Sequence, residues 1–156
     1  MTKEVQIDFK QVILTTLIAV IPFTVINQVF SLINRSVSKR DYLSMTSYFA
    51  KYQPDYYPIL FMFVLFFTVL SIVSAYSLIG SRLPGHLVLR GVLIGLFLFF
   101  VSDLPYAVYT GFTTVMPISY ARGVALWGLA SNIVNGLVIA YIYRKLAGAG
   151  EQKISR

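Results

Sequence analysis

The sequence predicts an all-α, polytopic integral membrane protein. It reads as a bundle of four transmembrane helices with an amphipathic interfacial helix in the first loop. Three observations carry this. The charged share is 12% and the apolar share 57%, whereas a soluble domain holds about a quarter charged and under half apolar residues. Four apolar runs each reach the roughly 20 residues that an α-helix needs to cross a bilayer core. None of the four alternates polar with apolar residues, as the strands of an outer-membrane barrel would.

The four spans are expected at 12–33, 59–80, 87–108 and 121–143, within one domain over 1–156. Hydrocarbon offers no water to the peptide groups, so each span must satisfy its own N–H and C=O groups as a helix. The first run is longer than a signal-peptide core of about 7–15 residues and no small-residue cleavage site comes after it, so it is expected to be retained. Between the first two spans, Tyr42, Met45, Phe49 and Tyr52 recur at helical spacing opposite Arg40, Ser44, Ser47 and Lys51. That pattern predicts an interfacial helix over 39–52, either anchoring the loop or acting as a lid, with Ser38 at its start and Pro54 beyond its end.

The net charge of +7 resides in Lys and Arg that flank the apolar runs rather than forming a stripe on one surface. This distribution sets membrane orientation and excludes nucleic acid as a partner. With a cytoplasmic N-terminus, the inside set is Lys3, Lys10, Arg82, Arg90, Arg144, Lys145, Lys153 and Arg156. The outside set is Arg35, Lys39, Arg40, Lys51 and Arg122. The excess favours a plasma (inner) membrane protein with both termini cytoplasmic.

Helices in lipid associate through close approach of small residues. Gly91 and Gly95 open the third span in a small-x-x-x-small pattern, and Gly128, Asn132, Gly136 and Ala140 repeat every four residues in the fourth. These are the expected packing surfaces, with Asn132 and Asn135 hydrogen-bonded across them. Phe61, Phe63, Phe66 and Phe67 lie on several faces of the second span, which is expected to face lipid or another subunit.

Asp103 is the only acid within a span, and Pro105 lies two residues beyond it. An acid deep in a span costs about 2.5–3.5 kcal/mol and therefore needs a partner or a function. Pro105 lacks an N–H and is expected to free the carbonyl of Val101 and kink the helix. Two roles are open to Asp103: a structural pair, with Arg122 if the span ends nearby, or an ion or proton site. Pro22, Asn27 and Gln28 place a similar interruption in the first span, and Asn27, Asn132, Asn135 and Asp103 are candidates for one polar core. Arg82, His86 and Arg90 form a basic group near the second turn, either topology-setting charge or a contact for lipid headgroups.

No Cys is present, which removes thiolate nucleophiles and Cys-ligated metals, and one His builds no metal site by itself. Neither a nucleotide fingerprint nor paired carboxylates occur, so no cofactor and no catalysis are expected. The expected function is a non-catalytic subunit or accessory component of a larger membrane assembly, as a homo-oligomer or with other membrane subunits. The alternative is a small oligomeric ion- or proton-coupled transporter or channel using Asp103.

Overall fold

In the computed structural model the described residues are 8–37, 57–80, 82–113 and 118–154, and those with assigned secondary structure are helical apart from turns. The helices are α1 (Phe9–Val37), α2 (Tyr57–Ile79), α3 (Leu87–Leu98), α4 (Leu104–Thr113) and α5 (Ile118–Ile154). A π-helical turn, Phe99–Asp103, joins α3 to α4 so that the two continue as one rod. Four stretches are long and apolar enough to cross a membrane: Phe9–Asn34, Ile59–Ile79, Leu87–Tyr109 and Ala121–Ala147. The predicted interfacial helix at 39–52 lies outside the described residues.

Local causes account for the start of α1 and for the reversal between α2 and α3. Asp8 caps α1: its carboxylate accepts the Gln11 N–H at 3.1 Å and its carbonyl accepts the Val12 N–H at 3.0 Å. An anionic cap satisfies otherwise orphaned N–H groups and complements the positive end of the helix dipole. Between α2 and α3 the chain reverses through Pro84 and Gly85, whose φ of 83° lies in the left-handed region that a glycine enters at least cost. Arg90 reinforces the turn by donating from Nε to the Gly85 carbonyl at 3.1 Å.

α1 was expected to be interrupted at Pro22, yet it runs unbroken from Phe9 to Val37. A proline in a long apolar helix removes one backbone bond. The turns on either side are held by Ala19 and Phe23, both buried in the core. The third span does depart from α geometry, through a different device from the one predicted. Its backbone widens before the proline, with the Leu104 N–H reaching back to the Phe99 carbonyl. The extra residue in this turn relieves the clash between the Pro105 ring and the preceding turn.

The longest helix, α5, is the axis of the molecule. It packs against α3, the π turn and α4 on one flank and α1 on the other, while α2 packs mainly on α1. Its apolar stretch is also the most buried of the four. The core cluster draws Val12, Ala19 and Phe23 from α1, Leu65, Val69, Ile72, Val73 and Tyr76 from α2, Ile94 from α3, and Ile139 and Ala140 from α5. On α1 and α2 most of these positions recur at three- or four-residue spacing and so mark one stripe per helix.

Alternation of the helices brings the start of α1, the end of α2, the start of α3 and the last span turns of α5 to one end. There Gln11 Nε2 donates to the Tyr143 carbonyl at 3.0 Å, and the Tyr76 and Tyr143 rings meet edge to face at 5.3 Å. At the opposite end Phe30 of α1 lies 6.1 Å from Trp127 of α5.

Candidate functional site

Close contact between α3 and α5 is where the site begins. A Cβ at residue 91 would lie 2.8 Å from Leu137 Cα, and one at 95 would lie 2.5 Å from the Asn132 carbonyl oxygen. Gly136 faces the Gly91 carbonyl in return. The three glycines therefore let the two backbones touch, and this brings the side chains further along the interface within hydrogen-bonding distance.

Asp103 stands where the rod leaves α geometry. It lies about 9 Å from the Tyr109 end of the span at about 1.5 Å per residue. Its Oδ2 accepts a 2.7 Å hydrogen bond from Asn132 Nδ2, and Gly128, one turn earlier on α5, leaves the space that the carboxylate fills. Neighbouring Ser102 turns back on its own helix, donating to the Leu98 carbonyl at 2.8 Å. Residue 103 reaches α5 because the π turn adds a residue to the helical cycle and shifts the faces of the rod.

One turn further along α5, Asn135 faces α1. Its Nδ2 donates to Asn27 Oδ1 at 3.4 Å, and Asn27 Nδ2 donates to the Phe23 carbonyl at 2.9 Å. Asn135 is 1% exposed, and its Oδ1 has no donor. Thus α5 carries two polar contacts on adjacent turns: Asn132 toward the π turn and Asn135 toward α1. Asp103, Asn132, Asn135 and Asn27 are brought to one region, in two pairs.

Arg122 is not part of it. The span continues past Asp103 to Tyr109, and Arg122 lines an external groove with Ala107, Gly111 and Ala121, alongside the later turns of α4. Asp103 takes the Asn132 amide instead of this guanidinium. Gln28 is exposed and makes no part of either pair. Arg82 and His86 are exposed on the turn before α3, while Arg90 is half-buried and engaged with Gly85.

Sequence reasoning missed Thr15 and Thr16, both fully buried on α1. Thr16 Oγ1 donates to the Val12 carbonyl at 2.8 Å, whereas Thr15 Oγ1 has no partner. The signal available was the stripe Val12, Thr16, Ala19, Phe23 and Asn27, which marks the inner face of α1 at helical spacing. Asn34 was missed as well: its side chain occupies the space beside Gly123.

Chemically, this arrangement offers one carboxylate, carboxamides and hydroxyls. Among the described residues no three His, Cys, Asp or Glu side chains come together as a metal site. Compared with protein-family models, curated proteins and solved structures, the chain matches none.

Proposed function

We propose that this chain is a non-catalytic integral membrane protein, a four-helix transmembrane bundle serving as a subunit or accessory component of a larger membrane assembly. The observation that carries the reading is the Asp103–Asn132 bond. The one acid within an apolar span takes a carboxamide from the central helix, as a tie between helices does. With Asn135 and Asn27 it makes α5 a keel joined by polar contacts to both flanks.

The outer surface supports a partner. On α2, residues Ile59 through Val64 are exposed in succession, Phe63 at 60%, with Phe67 at 57% further along. Such a flank suits lipid or the helices of another subunit, whether a second copy or a different chain. Basic residues favour a plasma membrane location with both termini cytoplasmic: Lys10, Arg82, Arg90, Arg144 and Lys145 all belong to the end where α1 starts. Nucleic acid is not a partner on this reading.

The test is purification in mild detergent with identification of every chain that accompanies it. A stoichiometric membrane partner, or a stable homo-oligomer, is expected. A monodisperse monomer that keeps its fold without any companion would overturn the proposal.

A second reading, an ion- or proton-coupled transporter, is favoured by one energetic mismatch. A carboxylate within a span costs about 2.5–3.5 kcal/mol, whereas an interhelical hydrogen bond returns about 0.6 kcal/mol on average. Asp103 thus costs more than Asn132 repays, and it adjoins a π turn, a feature frequent at functional sites.

A further inference from the structure

We infer that the cleft between the start of α3 and the end of the apolar stretch of α5 binds the phosphate headgroup of an anionic glycerophospholipid. The cleft encloses about 350 Å³ and is lined by Leu87, Tyr141, Arg144 and Lys145. Its composition is that of an amphiphile site: an aliphatic wall, an aromatic ring with a hydroxyl, and two adjacent cations, with no carboxylate among the described lining residues. The phosphodiester accepts from the guanidinium and ammonium, while the first methylenes of the acyl chains lie along Leu87 and the Tyr141 ring.

Location favours a lipid over a soluble phosphate. The apolar stretch of α3 begins at Leu87 and that of α5 ends at Ala147, so the cleft lies at the level where the spans leave hydrocarbon. Tyr141 is 57% exposed and faces outward, which opens the cleft sideways toward surrounding lipid. A third cation, Arg90, lies one turn along α3 from Leu87. Because Arg90 is tied to the Gly85 carbonyl, it contributes field rather than a direct contact. Asp8, an acid at this end, is occupied in capping α1. The site thus differs from the group Arg82, His86 and Arg90 that the sequence suggested, and it rests on the four spans alone, whatever the assembly does.

The experiment is native mass spectrometry of the full chain in neutral detergent, titrated with phosphatidylglycerol and with phosphatidylcholine. Phosphatidylglycerol is expected to bind on the order of tenfold more tightly, and Arg144→Gln/Lys145→Gln to erase that preference. The charge-matched pair Lys10→Gln/Arg82→Gln should keep it. Leu87→Trp, which fills the cleft with both cations in place, should erase it and keeps the test alive if the double variant misfolds. An excess of inorganic phosphate should leave the lipid bound. Equal binding of the two lipids, equal loss in the charge-matched pair, or no effect of Leu87→Trp would each overturn the site. Displacement by inorganic phosphate would overturn the lipid assignment in favour of a soluble anion.

Discussion

The carboxylate of Asp103 occupies the space that a side chain at Gly128 would need, and both belong to the contact between the π turn and α5. A Cβ at residue 128 would come within 2.9 Å of Asp103 Cγ. Acid, missing side chain and the Asn132 amide one turn on form a single fitted unit, so their substitutions are coupled.

Gly128→Ala should therefore destabilise the protein by about 1–3 kcal/mol, the usual cost of overpacking. Adding Asp103→Ala should recover part of the loss, because it removes the carboxylate from the collision and leaves only the Cβ of residue 103, 2.9 Å away. Denaturation midpoints of the two single variants and the double variant check this. Additive losses would mean that the residues do not touch.

Asn132→Ala should cost about 0.6–2 kcal/mol, the range of interhelical hydrogen bonds in apolar surroundings. Asp103→Asn should cost less, since a carboxamide oxygen still accepts from Asn132 Nδ2. The same denaturation assay reads both, and the order of the two losses is the prediction.

Two glycines on the third span and its continuation separate close approach from mere helix composition. Gly95→Leu should disrupt the α3–α5 contact outright, because even its Cβ would meet backbone at 2.5 Å. Gly111→Ala places its methyl 3.4 Å from the Ala121 Cβ, an ordinary contact, and should gain up to about 1 kcal/mol of helix propensity. Opposite signs are expected in unfolding, and equal signs would count against the interface.

The absence of Cys permits a direct test of how α1 meets α5. Asn34→Cys with Gly123→Cys should cross-link in high yield under mild oxidation, since the side chain of Asn34 already fills the space at Gly123. Asn34→Cys with Ser77→Cys, at opposite ends of the molecule, should not. Gel mobility under non-reducing conditions distinguishes them.

The span positions were legible because run length and hydropathy are local properties. The run 87–108 coincides with Leu87–Tyr109 to within one residue, and 121–143 differs from Ala121–Ala147 only in a basic end that continues as helix. Gly91, Gly95 and Gly136 were legible as small-residue surfaces, but which helix each would meet was not, because periodicity names a face and never its neighbour. Asp103 stood out as a lone acid and Asn132 as a candidate for the same polar core, while the pairing of the two did not. Arg122 was the obvious charge, yet the π turn presents Asp103 to Asn132, and a one-residue change of register leaves no mark in composition. Thr15 and Thr16 escaped notice because two small hydroxyl side chains in an apolar run interrupt no pattern.

The claim on which the account turns is that Asp103 ties helices together and carries nothing across the membrane. Proton flux into vesicles reconstituted with this chain alone tests it most directly. Wild type and Asp103→Asn are both predicted to match empty vesicles while remaining folded. A flux in wild type that Asp103→Asn abolishes would contradict the account and favour the transporter.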